Sequence, residues 1–103
     1  MTEQTFGSYI AGQRKAKGIS QKDLAAKVVR EEDGKPISPQ YLNDIERDRR
    51  NPTSDHLINQ FASALDLSPE YLFFLAGTLP RYAREAKIGP EEVTRIMSAF
   101  RRG

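Results

Sequence analysis

Residues 37–52 read ISPQYLNDIERDRRNP, with side-chain amides at Gln40 and Asn43, a carboxylate at Asp44 and arginines at 47, 49 and 50. None of these groups is an activated nucleophile, so their chemistry is hydrogen bonding and charge. An amide donates and accepts at once, so Gln40 and Asn43 can each match an adenine edge. Asp44 can accept from cytosine or merely repel phosphate, and Pro39 can offer only an apolar contact, as to a thymine methyl. Arg47, Arg49, Arg50 and Asn51 can grip phosphates, which positions a partner without reading its sequence. Taken singly, the same residues would also suit a solvated helix whose terminal cations complement the macrodipole, and Asp48 dilutes the basic patch.

A helix must carry this set. Ser38 is placed to cap it, Pro39 suits its first position, and Tyr41, Leu42 and Ile45 recur at helical spacing. Pro52 is expected to stop it. Gln40 falls opposite the Leu42/Ile45 stripe, so the N-terminal turn can face a major groove while the stripe faces a core. Four further helices support it. The first carries Phe6, Ile10, Ala11 and Arg14 and closes near Lys17, before Gly18. The second starts at Ser20, with Asp23 in the place of a capping-box acid, and buries Leu24, Ala25 and Val28. The fourth starts at Thr53 or Ser54 and buries Leu57, Ile58, Phe61, Ala62 and Leu65. The fifth runs from Ser68-Pro69-Glu70 through Ala76, with Gly77 ending it. No strand pattern competes. The fold expected is an all-α compact bundle of five helices over residues 6–77, of the kind that carries a helix-turn-helix.

The ordered set Arg14, Ser20-Gln21, Leu24-Ala25, Ser38, Tyr41-Leu42, Ile45-Glu46 and Arg49-Arg50-Asn51-Pro52 resembles the lambda-repressor-like helix-turn-helix regulators, the xenobiotic-response-element family. The fourth helix and the segment DLSPEYLFFLAG also look like that family. The resemblance implies a helix-turn-helix domain in residues 1–79 that binds double-stranded DNA as a transcriptional regulator, more a repressor than an activator. By the same resemblance Gln21 would bond a phosphate from the first turn of the second helix. Ser38 and Tyr41 are further candidate phosphate contacts, although Tyr41 more often packs with a wet hydroxyl. Arg14 and Glu46 would form a structural salt bridge. One departure stands out: ten residues separate Lys27 from Ser38, where the family uses a tight turn. Asp33-Gly34 is a turn signal and Pro36 forbids helix through Lys35, so either the second helix runs on or a loop projects near the groove.

Residues 80–103 form a C-terminal helical extension. Gly89-Pro90-Glu91-Glu92 reads as a helix start, and Val93, Ile96, Met97 and Phe100 fall on one apolar face. That face must be buried, either on its own domain or as a dimer or partner contact with Leu72, Phe73 or Leu75. A homodimer is expected, since such regulators read paired half-sites. Two alternatives share the fold: the antitoxin of a toxin–antitoxin pair, using the tail to hold its partner, and a protein–protein adaptor.

Composition narrows the rest. Net charge is +2, but residues 1–27 carry +3, 28–50 carry −1, 51–79 carry −3 and 80–103 carry +3, which suits a polyanion on one face. With no cysteine, a single histidine (His56) and no glycine-rich phosphate loop, neither an enzyme, a metal site nor a cofactor is expected. His56 reads as a first-turn helix residue. The start MTEQTFGSYI has no basic and apolar leader pattern, and no run of about 18 apolar residues occurs, so a cytoplasmic protein without membrane contact is expected.

Overall fold

Hydroxyls start the first five helices. Thr5, Ser20, Ser38, Ser54 and Ser68 each accept a hydrogen bond from the backbone N–H three residues on, satisfying a donor that the helix cannot. Ser8 returns the bond to the Thr5 backbone, closing a capping box. The computed structural model describes residues 4–52 and 54–102. Within them the helices are α1 Phe6–Ala16, α2 Gln21–Lys27, α3 Pro39–Glu46, α4 Asp55–Leu65, α5 Pro69–Leu75, α6 Arg81–Arg84 and α7 Pro90–Arg102. Ser54 caps α4; the other candidate cap, Thr53, lies outside the described residues.

α1 packs on α3 and α4, α2 packs on the same two helices, and α5 packs on α4. Ile10, Leu24, Leu42, Ile45, Phe61 and Leu65 fill the centre. Phe6 meets Phe61 edge to face at 5.9 Å. α1 and α3 approach closely because position 7 has no side chain. A Cβ on Gly7 would stand 2.1 Å from the Ile45 carbonyl oxygen and 2.5 Å from Asp48 Oδ1.

α3 ends at Glu46, six residues short of the expected stop at Pro52. The reason lies outside the segment. Asp48 turns left-handed at φ 60°, and its carboxylate accepts from Thr5 Oγ1 (2.7 Å) and the Gly7 amide (3.1 Å). Two free donors and the positive end of α1 thus hold an anion that a longer α3 would carry elsewhere.

α2 does not run on past Lys27. Residues 28–37 fold back as a short hairpin, with Ile37 N–H donating to Val28 O and Arg30 N–H to Lys35 O, both at 2.9 Å. Gly34 supplies the positive φ of 67° at the tip. Val28 and Ile37 bury the neck. α4 clamps it from the other side: Gln60 Oε1 accepts from Val29 N–H at 3.1 Å, and His56 Nε2 donates to Val29 O at 3.0 Å. The tip holds itself, since the Lys35 amide and then the Arg30 guanidinium keep the Asp33 carboxyl below the usual carboxylate range.

The extension joins the bundle at a few polar points. Arg84 pairs with Asp55 at the start of α4, at 3.2 Å from Nη1 to Oδ1, and donates to Leu79 O at 2.9 Å. Tyr82 donates to Glu70 at 3.3 Å. On α7, Phe100 stacks on Phe74 at 5.6 Å, while Val93, Ile96, Met97 and Phe100 stay 41–57% exposed. The face touches its own domain at that stack and is otherwise open. Leu72 and Phe73 cannot extend it, because both belong to the core; the exposed aromatics of α5 are Tyr71 and Phe74.

Gly7→Ala is expected to lower stability by about 1–3 kcal/mol, since backbone and a buried contact must move to admit the methyl. Gly12→Ala, where a Cβ meets nothing within 4 Å, should instead gain about 0.5–1 kcal/mol. Urea unfolding of both variants checks the pair.

Candidate nucleic-acid interface

Three elements converge on one carboxylate. Arg14 of α1 donates from Nε to Glu46 Oε2 at 2.7 Å and from Nη2 to Oε1 at 3.0 Å, a two-pronged pair. Its third nitrogen donates to Ile19 O at 2.9 Å, tying the α1–α2 turn to the same knot. Gln21 of α2 donates to Glu46 Oε1 at 3.0 Å and to Asn43 Oδ1 at 3.2 Å. The Arg14 and Glu46 side chains are only 11% and 5% exposed. The hydrogen bond to Glu46 raises the Arg14 pKa against the opposing cost of burial. The angle between α2 and α3 is thus set by directional bonds as well as by packing.

Outward from this knot, Ser38, Pro39 and Gln40 are exposed at the start of α3, and Tyr41, Asn43 and Asp44 are half-buried behind them. The Ser38 hydroxyl accepts from Tyr41 N–H at 3.0 Å. Gln40 donates from Nε2 to Asp44 Oδ1 at 3.1 Å. Arg49 and Arg50 reach the two oxygens of the same carboxylate at 3.7 and 3.8 Å, and Arg50 also lies 5.2 Å from the Tyr41 ring centre. Arg47 donates to Asn43 Oδ1 at 3.3 Å. Arg47, Arg49, Arg50 and Asn51 are exposed.

The charges of this stretch are sorted by side. Glu46 faces Arg14, Asp48 faces the start of α1, and Asp44 is matched by two arginines. Asp48 therefore does not dilute the patch: its charge is used against α1, and the three arginines remain outside. Gln21 lies at the same junction but spends its amide on Glu46 and Asn43. The four apolar residues Val93, Ile96, Met97 and Phe100 form a separate strip on α7.

A model of the helix-turn-helix family matches residues 10–72, more than half of the chain. The chain belongs to the lambda-repressor-like helix-turn-helix family. No curated protein and no solved structure matches it. Members are DNA-binding regulators and generally not enzymes, so this chain is a DNA-binding helix-turn-helix regulator. In this helix-turn-helix, α2 and α3 are joined by the hairpin rather than by a tight turn, yet Gln21 still bridges them. No cluster of three potential metal ligands occurs among the described residues, and no described helix is long and apolar enough to cross a membrane.

Sequence reading missed Gly7 and Asp48 as positioning residues. A signal existed for the first, since a lone glycine inside a helix commonly marks close packing. For Asp48 there was none, because its partners are some forty residues away.

Glu46→Ala leaves Arg14 buried without its partner and is expected to cost about 3–5 kcal/mol. The double variant Arg14→Leu/Glu46→Leu should lose less than the single one. Chemical unfolding of both variants checks this order.

Proposed function

We propose that this protein is a sequence-specific regulator of transcription, a cytoplasmic homodimeric repressor that inserts the start of α3 into the major groove of double-stranded DNA. The observation that carries the reading is the sorting of charge around α3: its acids face inward or are paired, and its arginines and amides face out. The partners also fix how each amide is presented. Asp44 only accepts, so it takes Gln40 Nε2 and leaves Gln40 Oε1 outward. Arg47 and Gln21 both donate to Asn43 Oδ1, so Asn43 Nδ2 is the atom left to donate. Gln40 then offers an acceptor and its second N–H, the pattern that matches adenine N6 and N7. Asn43 offers a donor to an adenine N7 or to another groove acceptor.

Asp44 serves first to orient Gln40, and accepts from cytosine N4 where a base brings that donor close. Pro39 meets a thymine methyl. Ser38, Tyr41, Arg47, Arg49, Arg50 and Asn51 hold phosphates. Gln21 donates both Nε2 hydrogens, to Glu46 and to Asn43, so its part is to hold Asn43, and it meets a phosphate only by giving up one of these bonds. A second reading, the antitoxin of a toxin–antitoxin pair or an adaptor, draws on the uncovered face of α7. A different chain co-purifying in fixed ratio would favour it.

Selection of bound duplexes from a random pool tests the proposal; no enriched sequence would overturn it. On the selected site, Gln40→Ala should cost about 1–3 kcal/mol and blur preference at one base pair. Arg49→Ala should weaken all duplexes alike and lower the slope of log affinity against log salt by about 1. Titrations at several salt concentrations separate the two behaviours.

A further inference from the structure

The hairpin of residues 28–37 stands where the family has a tight turn, and the α3 reading gives it no task. Its charges are sorted by side, as those of α3 are. Glu31 lines a cavity toward α4 and α6, together with Asp55, His56 and Arg84. Asp33 is spent at the tip on the Arg30 guanidinium and the Lys35 amide. Arg30 and Glu32 line a different space, a groove of about 540 Å³ whose other wall is Ser38, Tyr41, Arg50 and Ser54. Ser38, Tyr41 and Arg50 are phosphate contacts of the reading above, so the groove continues that surface. We infer that one sugar–phosphate strand of the duplex lies in this groove, gripped by Arg30 from the hairpin and by Arg50 from the segment after α3. The inference rests on the α3 reading and adds to it a second DNA-binding element, with Arg30 as its contact.

The hairpin wall is held in place. Val28 and Ile37 bury its neck, and α4 fastens Val29 through Gln60 and His56. The start of α4 also supplies Ser54 to the facing wall, so one helix sets the spacing of both. Arg30 is aimed as well as placed. One oxygen of Asp33 accepts from its Nε at 3.3 Å and the other from its Nη2, which occupies one edge of the guanidinium and leaves Nη1 to donate. That pair is exposed and bends at small cost. Across the groove, Arg50 lies 5.2 Å from the Tyr41 ring centre. Two guanidinium groups face a single opposing carboxylate, Glu32, so the groove attracts an anion and Glu32 weakens its hold.

The test is titration of the full chain against the selected duplex and a mixed-sequence duplex at several salt concentrations. Arg30→Ala should weaken both about three- to ten-fold and lower the slope of log affinity against log salt by about 1. Glu32→Gln should tighten both by about two- to five-fold. A scan of the selected site with single uncharged methylphosphonate linkages separates contact from mere support. At least one linkage that weakens wild type should cost Arg30→Ala nothing, because that phosphate has already lost its partner. Wild-type affinity and slope in Arg30→Ala would overturn the inference; so would Glu32→Gln binding no tighter than wild type, or a linkage scan identical for Arg30→Ala and wild type. These outcomes leave the α3 reading standing. A wild type that binds no duplex removes both.

Discussion

The guanidinium of Arg14 meets the Glu46 carboxylate with both groups almost out of water, and the outer face of α3 takes its orientation from that contact. Packing alone would leave α3 free to roll on its Leu42/Ile45 stripe, because apolar contacts have little direction. A two-pronged ion pair has a plane, and Gln21 adds a third direction from α2. An apolar pair of similar volume would hold the helices together at least as tightly. What it would lose is the rotational setting that aims Gln40 and Asn43 outward.

The second constraint is electrostatic. A helix that approaches a polyanion while carrying Asp44, Glu46 and Asp48 must neutralise or remove them. Each is handled differently: one by an ion pair in the core, one by the positive end of a neighbouring helix, one by two arginines on the surface. The last arrangement is the loosest, at 3.7 and 3.8 Å, so Arg49 and Arg50 can leave Asp44 for a phosphate at small cost. Asp44 then keeps its hold on Gln40.

Much of this was legible in the residues. Four serine caps, prolines at 39 and 69 and the positive-φ glycines at 18 and 77 are local signals, and they placed the first five helices to within a residue or two, apart from the end of α3. The stripes named the core, Leu42 and Phe61 included. What was illegible is nonlocal. The early end of α3 depends on Asp48 reaching across to Thr5 and Gly7, and the choice between a longer α2 and a hairpin depends on Gln60 and His56 clamping Val29. The short α6 gave no periodic signal, being a single turn held by Arg84 and Tyr82. At the site, residue types and the outward face could be read, but the orientation of each amide needed the partners that only the fold brings near.

The hairpin between α2 and α3 has a consequence for how chains of this kind can vary. Its neck is sealed by Val28 and Ile37 and fastened to α4, while Arg30 to Lys35 contribute nothing to the hydrophobic interior. Added residues at the tip would meet only the entropy of closing a larger ring, which grows with the logarithm of its size. The joint between the two helices thus tolerates growth without retuning the angle between them, and a peptide spliced beside Gly34 would be carried as cargo outside the packed interior.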